Sequence, residues 1–370
     1  MRILYDHQAF SLQNVGGISV YFYELASRLT NSPGVSVEVR LGLHNSVYPF
    51  EQLKAARHAR ILARRSAMLP GMYRYVINEA LTSLGIVGSG RYDIYHSTLY
   101  RRMPAVRARA VVATNHDCTQ ERFPQFFRDP GRVIRAKASL YRRADMILCV
   151  SRISQRDVLK FYGIDEAKTR VINQGVSKLH RDPLAAREFT ALLRRPYLLY
   201  VGARYPYKNF GGLIEAYADG GLAANYDLVV LGGGEFSDVE NREISGRGLS
   251  SFVLHWGYAT EAILAEAYCR ASLFVSPSFY EGFGLPPLEA LSLGCPVLAS
   301  DSGSVPEICG DAAMYFDPNH PGDLTRKLSE ALNTPSSDAR RKRGCERAAR
   351  YSWQRNADET LAAYMELMGR

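Results

Sequence analysis

Residues 278–290 read SFYEGFGLPPLEA. In front of them stands RASLFVS (270–276), an apolar run of strand length, and behind them LEALSLGCPVLAS (288–300), a short apolar helix pattern that stops at Gly294 and leads into another strand. Strand, glycine-rich turn, helix and strand make one βα unit of a parallel sheet. Pro286 and Pro287 suit the first turn of the helix, where a missing N–H costs nothing. Gly282, Phe283, Gly284 and Leu285 then sit at the positive end of the helix, where backbone N–H groups suit a phosphate. Glu281 and Glu289 bracket this loop, and like charge keeps both off the phosphate. Each is expected to accept hydrogen bonds from hydroxyls instead, a sugar on one side and a ribose on the other. The loop is shaped for a nucleotide sugar. Taken singly, Glu289 reads equally well as a favourable first-turn charge and Glu281 as a solvated loop residue.

The same unit recurs along the chain. Strand patterns stand at 2–6, 35–41, 93–97, 110–116, 146–151 and 171–175, with helices at 17–29 and at 152–163, the latter closed by Gly163. A second series follows at 197–203, 226–234, 252–257, 272–276, 296–300 and 312–318, with helices at 209–220 and 260–271. Between the series, RDPLAAREFTALLRRP (181–196) is charged and without a strand pattern, and it reads as the crossing between domains. The fold class is α/β: two Rossmann-like domains facing across a cleft, as suits 370 residues, more than one core usually serves. Ligands of such sheets bind beyond the carboxyl ends of the strands.

Six cysteines (118, 149, 269, 295, 309 and 345) are scattered without a C-x-x-C pair. A chain of this size builds its core without covalent staples, so reduced thiols and a cytoplasmic setting are expected. No apolar run approaches the roughly 20 residues that span a bilayer. The N-terminal MRILYDHQAF meets Asp6 and His7 early and reads as a first strand, not a signal peptide. The formal charge of +9, from 46 Lys/Arg against 37 Asp/Glu, points to an anionic partner. It is unevenly spread: residues 51–80 hold six Lys/Arg against two Glu among leucines, methionines and tyrosines, and Arg101, Arg102, Arg135, Lys137, Arg142 and Arg143 follow. A solvated helix face accounts for any one of them. Their clustering suggests a phosphate-rich surface, a membrane or a nucleic acid.

Three further stretches carry candidate chemistry. In VGARYPYKNF (201–210), Arg204 and Lys208 follow a strand, and a guanidinium fork with an ammonium could hold two phosphates. Exposed basic residues are also ordinary in such loops. In QNVGGIS (13–19), Gly16 and Gly17 permit close backbone approach at a helix start, a weak signal. In TNHDC (114–118), His116 ends a strand on the side where ligands bind; a core histidine with satisfied hydrogen bonds is the plain alternative. The chain contains no D-x-D.

Taken in order, the GG of the first helix, the H-D of the first half, G-x-R-x3-K-N (202–209), E-G-F-G-L-P-P-L-E (281–289) and D-S-G-S-V-P-E-I-x-G-D-A-A-x-Y-F-D-P (301–318) resemble family 4 of the retaining glycosyltransferases, which have the GT-B fold. E-x7-E alone is a weak sign; the ordered set is specific and spans nearly the full chain. The resemblance implies an N-terminal acceptor-binding domain (1–185), a nucleotide-sugar-binding domain (186–350), and a last helix (351–370), within YSWQRNADETLAAYMEL, that crosses back to the first domain. By the same resemblance, Glu281 contacts donor-sugar hydroxyls and Glu289 the ribose diol. Arg204 and Lys208 hold the diphosphate, and the amides of Gly282, Phe283, Gly284, Leu285, Gly16 and Gly17 complete its cradle. His116 hydrogen-bonds the donor sugar, and the base lies near Gly257 and Tyr258. One departure is N-Q-G-V (173–176) where the family often has P-N-G-V, which puts any role for Asn173 in doubt.

The family implies metal-independent transfer with retention, without a cofactor, by front-face attack in which a donor phosphate oxygen takes the acceptor's proton. No residue stands out as a nucleophile. YDHQAFSLQNVGGISVYFYELA (5–26) resembles mannosyltransferases of bacterial O-antigen and exopolysaccharide assembly. GDP-mannose is therefore the leading donor and a UDP- or dTDP-sugar the alternative. The implied acceptor is a polyprenyl-diphosphate-linked saccharide, met by a basic first domain on the inner face of an anionic membrane. Two other classes stay open: a sugar-nucleotide epimerase or phosphorylase of the same architecture, and a basic nucleic-acid-binding protein, although no recognition motif for nucleic acid is present.

Overall fold

Apolar runs become buried parallel strands in a computed structural model that describes residues 1–13, 16–44, 46–50, 53, 69–83, 90–100, 106–191, 193–320, 322–334 and 338–369. The chain divides into two compact units, Met1–Gly175 with Trp353–Arg370, and Val176–Ser352.

The first unit is built on β1 (Arg2–Tyr5), β2 (Ser36–Val39), β3 (Arg91–Ser97), β4 (Arg107–Asn115), β5 (Met146–Cys149) and β6 (Thr169–Val171). These six strands pair in the order β2-β1-β3-β4-β5-β6, all parallel. The second carries β7 (Tyr197–Val201), β8 (Asp227–Leu231), β9 (Val253–Gly257), β10 (Leu273–Ser276), β11 (Val297–Ser300) and β12 (Met314–Phe316), in the order β12-β11-β10-β7-β8-β9, also parallel. Strands covered by helices on both faces need apolar side chains on both, which is why MILC (146–149) and LVVL (228–231) are continuous apolar runs and buried throughout. Each sheet reverses its strand order once, at β1/β3 and at β7/β10. A crevice opens at the carboxyl ends there, because the two connections leave in opposite directions.

Helices pack by the spacing of their apolar residues. In Gly17–Leu29 the buried Tyr21, Phe22, Leu25, Ala26 and Leu29 lie on one stripe. The helix Arg152–Tyr162 opens with a Ser151/Ser154 capping box and closes at Gly163, whose φ of 60° suits glycine. The last helix, Trp353–Gly369, buries Trp353, Ala357, Tyr364 and Leu367 in the first unit's core. There the Tyr364 hydroxyl lies 3.1 Å from that of Tyr5 and 2.5 Å from Nδ1 of His96.

Two readings need revision. Residues 181–196 are not a bare crossing: they contain the helix Pro183–Ala191, in the second unit, with Phe189 fully buried against Tyr197 and Trp256. The basic surface is also thinner than the charge count suggests. Lys137 is buried, because it shares a helix face with Leu140 and Tyr141, and Arg74 is buried with its Nε donating to Ser11 O at 3.1 Å. Arg135, Arg142 and Arg143 are exposed. Lys54, Arg57, Arg60, Arg64, Arg65, Arg101 and Arg102 lie outside the described residues. Among the described residues no helix is long and apolar enough to cross a membrane.

Candidate active site

The loop after β10 is held from three sides. The helix Leu285–Ser292 starts with proline in its first turn, preceded by Gly284 at φ 97°, a left-handed conformation that a side chain would strain. With Pro286 and Pro287 lacking donors, the Leu285 N–H is the first-turn donor left at the positive end. The Phe283 ring turns inward against Tyr351 at 5.8 Å, leaving only its backbone for a ligand. Ser304 donates to Glu281 O through both N–H (3.1 Å) and Oγ (2.9 Å). Gly303, at φ 65°, comes so near that a Cβ there would meet Glu281 N and O at 2.8 Å. The D-S-G-S segment thus clamps the backbone of Glu281.

Across the β7/β10 switch point, Lys208 Nζ donates to Glu281 Oε1 at 2.6 Å, and Ser278 Oγ donates to the same oxygen at 2.7 Å. The two loops are also tied by Phe279 N to Tyr207 O at 2.9 Å. Lys208 ends the short helix Pro206–Lys208, and Asn209 turns the chain there at φ 55°. The lysine and the carboxylate are thus brought together on one side of the loop.

Arg204 is placed differently. Its Nε donates to Glu240 Oε1 at 2.7 Å, Nη1 to Gly232 O at 3.0 Å, and Nη2 to Gly234 O and Glu235 O at 2.6 and 2.9 Å. Phe236 and Phe210 stack on it at 4.8 and 5.7 Å, and its side chain is 5% exposed. Burial opposes ionisation of Glu240, but bonds from Ser237 and from Arg204 outweigh it and hold its carboxyl below the usual range. Four of its five N–H groups are thus taken up by protein acceptors, which ties the guanidinium to the loop 232–235 and to Glu240. The same loop reaches the expected base site, since Gly232 N donates to Gly257 O at 2.7 Å; Tyr258 beyond it is exposed.

Glu289 lies on the far side of the helix start, accepting from the Tyr268 hydroxyl at 3.1 Å. Burial pushes its carboxyl up to about 7, eased by that hydrogen bond and reinforced by Glu261. Glu281 and Glu289 therefore differ in state: one is ion-paired, the other near its titration point at neutral pH.

In the first unit, His116 follows β4 with its ring edge-on to Tyr21 at 5.1 Å and its backbone N–H donating to the Tyr100 hydroxyl at 3.1 Å. Its Nε2 is buried without a hydrogen-bond partner among the described residues. Burial pushes the imidazole down to about 4, against the pull of Asp117. It is neutral at pH 7. Gly16 and Gly17 open the helix that supplies Tyr21. Gly16 is extended at φ 168°, and a Cβ there would meet only the far end of the Gln13 side chain, at 2.7 Å.

The contacts of three groups escaped the sequence reading. Glu240 gives no sign in sequence of its bond to Arg204. Lys137 did give one, being three and four residues before Leu140 and Tyr141 on the inward stripe. Its Nζ donates to Asp117 O at 2.8 Å and to Glu121 Oε1 at 3.0 Å. Asn173 is a structural tie within the first unit. Its Nδ2 donates to Val150 O at 2.9 Å, and its carbonyl accepts from Asn356 of the last helix at 2.9 Å.

The family described as "Glycosyl transferases group 1" matches residues 185–350, and "Glycosyltransferase Family 4" matches residues 15–178. The chain is 30% identical over 371 residues to the O-antigen chain mannosyltransferase B of Escherichia coli, covering 94% of this chain and 95% of that one. Sucrose-phosphate synthase from Thermosynechococcus elongatus matches in structure with a TM-score of 0.76 at 20% identity, over 100% of this chain and 99% of that one. WaaG, a glycosyltransferase involved in lipopolysaccharide biosynthesis, matches with a TM-score of 0.69 at 16% identity, over 100% of both chains. With both halves matched and a relative aligned over nearly the full length of each chain, this protein belongs to glycosyltransferase family 4 and has the GT-B fold.

Proposed function

We propose that the protein moves a hexose, with retention at the anomeric carbon and without a metal ion, from a nucleotide sugar to a saccharide acceptor, with mannose from GDP-mannose as the leading donor. The observation that carries this reading is the meeting of Lys208 and Glu281 at the β7/β10 switch point, beside the helix start at Leu285. A diphosphate at that helix end meets the ammonium already in place, and a sheltered cation stabilises the charge that develops on the leaving group. Glu281 takes sugar hydroxyls on one side and Glu289 the ribose diol on the other, with the base toward Gly257 and Tyr258. Arg204 serves the phosphates by holding the loop 232–235. His116 offers a neutral imidazole nitrogen to a sugar hydroxyl. Attack comes from the face of the leaving group, whose phosphate oxygen takes the acceptor's proton.

Mannose is favoured by the name and the 30% identity of the Escherichia coli relative. The O-antigen chain in that relative's name favours a bacterial surface polysaccharide as the product, and our reading extends this to a lipid-linked acceptor met at the cytoplasmic face of the membrane. Peripheral membrane contact is supported by Met72, Tyr73, Val76 and Ile77, exposed on the helix Gly71–Ser83. The test is transfer from a panel of GDP-, UDP-, dTDP- and ADP-sugars with and without EDTA, with the anomeric configuration of the product read by NMR. Transfer from GDP-mannose alone, with retention and in the presence of chelator, supports the reading. Inversion, or dependence on a metal, overturns the mechanism; preference for another nucleotide overturns the donor. Vesicle co-sedimentation at low and high salt tests the membrane contact, and equal, negligible binding to neutral and anionic vesicles rejects it.

A further inference from the structure

Lys137 and its carboxylate partner Glu121 are withdrawn from solvent together, each side chain 2% exposed. A buried ammonium is tolerated only when paired and hydrogen-bonded, and the partners of this one converge on the turn after β4. Nζ donates to Asp117 O at 2.8 Å and to Glu121 Oε1 and Oε2 at 3.0 and 3.3 Å. It also lies 4.8 Å from the centre of the Tyr100 ring, within cation–π range. Burial opposes the charge, yet Tyr100, Asp117, Cys118 and Glu121 together more than offset it and hold the ammonium above the usual lysine range. The lysine is charged at neutral pH.

These contacts grip the backbone of His116 from both sides. After it, the ammonium holds the carbonyl of Asp117. At the residue itself, the Tyr100 hydroxyl accepts the His116 N–H at 3.1 Å, and the ring carrying that hydroxyl is fixed by the ammonium over its face and by Tyr141 edge-on at 6.1 Å. Before it, Asn115 Oδ1 accepts from the Tyr141 hydroxyl at 2.8 Å, and Asn115 Nδ2 donates to Ser154 O at 3.0 Å. Residues 115, 116 and 117 are each tied down, and Lys137 is common to the ties at 116 and 117. The His116 Nε2 itself is buried without a hydrogen-bond partner among the described residues, so its aim is set by the backbone and by packing on Tyr21. Stability alone does not explain the lysine, because apolar residues of similar volume often replace a buried ion pair without loss. A fixed turn does explain it.

We propose that Lys137 is a positioning residue for the transfer reaction, acting with Tyr100 to hold the His116 imidazole at the angle from which its unpaired nitrogen meets the substrate. This rests on the reading of His116 as a contact of the sugar and adds what fixes it there.

The test joins the NMR spectrum of the full chain, isotope-labelled at histidine, to the kinetics of transfer. His116, one of eight histidines, is assigned by the signal lost in His116→Ala. In Lys137→Met and in Tyr100→Phe the His116 signal is expected to shift or broaden, while those of His255 and His320, in the second unit, stay. In both variants kcat falls ~10-fold or more. Nucleoside diphosphate affinity stays within about twofold of wild type, since neither residue serves the donor loop. In a His116→Ala background either change costs less than about twofold more, because the group it positions is gone. A merely structural lysine would repeat its full loss there. Lys137→Met leaves Glu121 buried without its cation and can cost folding. Tyr100→Phe keeps the ring under the ammonium, removes only the hydroxyl, and keeps the test decisive. An unmoved His116 signal or a wild-type kcat in Tyr100→Phe, or the full loss repeated in the His116→Ala background, overturns the positioning while His116→Ala remains slow. Wild-type turnover in His116→Ala instead overturns the role given to His116, and the positioning with it.

Discussion

Lys208 Nζ lies 2.6 Å from Glu281 Oε1, joining the loops that leave β7 and β10, adjacent strands whose connections run in opposite directions. Both side chains are largely sheltered, at 20% and 16% exposure, so the pair keeps a cation where the strand ends converge. Lys208→Ala is expected to lower kcat/KM by ~10²-fold, the loss of a few kcal/mol of charge stabilisation. EDTA should leave the wild-type rate intact. Near-wild-type kinetics in the variant would remove Lys208 from the leaving-group site.

Arg204 and Glu240 should behave as one unit. If the guanidinium acts by holding the loop 232–235, Glu240→Ala reproduces much of the lost nucleotide affinity of Arg204→Ala. The double variant then loses less than the sum, by ~1 kcal/mol or more. The readout is nucleoside diphosphate titration of the two single variants and the double. Strictly additive losses, or unchanged affinity in Glu240→Ala, would mean that Arg204 reaches the phosphates itself.

Glu281 and Glu289 should separate by ligand. Glu289→Ala is expected to weaken free nucleoside diphosphate and whole donor alike, and a 2′-deoxyribose donor should lose little more affinity in that variant. Glu281→Ala should bind the diphosphate normally and turn over poorly, because sugar contacts that tighten in the transition state are gone. A Glu281 variant that loses diphosphate affinity as badly as the Glu289 variant contradicts this assignment.

The state of Glu289 predicts a pH effect. Its carboxyl titrates at about 7, and a carboxylate accepts ribose hydroxyls more strongly than the neutral acid does. Nucleoside diphosphate affinity should rise ~5- to 10-fold between pH 6 and 8 beyond the change seen in Glu289→Gln, which controls for titration of the phosphate. Parallel pH profiles in the two proteins would rule it out.

Acid should loosen the first unit. Burial pushes His96 down to about 3 and His116 to about 4, so both stay neutral in the folded chain, while unfolded histidine titrates near 6.5. Between those values the unfolded chain binds more protons, and stability present above about pH 6.5 falls as pH drops, by about 1.4 kcal/mol per pH unit for each histidine. Trp353, buried in this unit, reports its urea unfolding once Trp256 is replaced by Phe. His96→Gln should be less stable at pH 7 but show a shallower loss toward pH 5.5. An unchanged slope would exonerate His96.

The twelve strands, the helices at 17–29, 152–163, 209–220 and 260–271, and the donor loop were legible in the sequence because each rests on local chemistry. Strands sheathed by helices must be apolar on both faces, glycine is favoured where φ is positive, and proline is tolerated in a first turn. So Gly284, Pro286, Pro287 and Glu281 could be placed on one loop by reading alone. Tertiary structure decided who touches whom. Arg204 and Lys208 are four residues apart and look alike in sequence, yet one is locked to Glu240 and the other reaches Glu281. Lys137 counts as surface charge until the inward stripe of its helix buries it beneath Asp117. Such partners come from strands and helices distant in the chain, and only packing, which sets the dielectric and the distance, settles whether a charge is solvated, paired or left for a ligand.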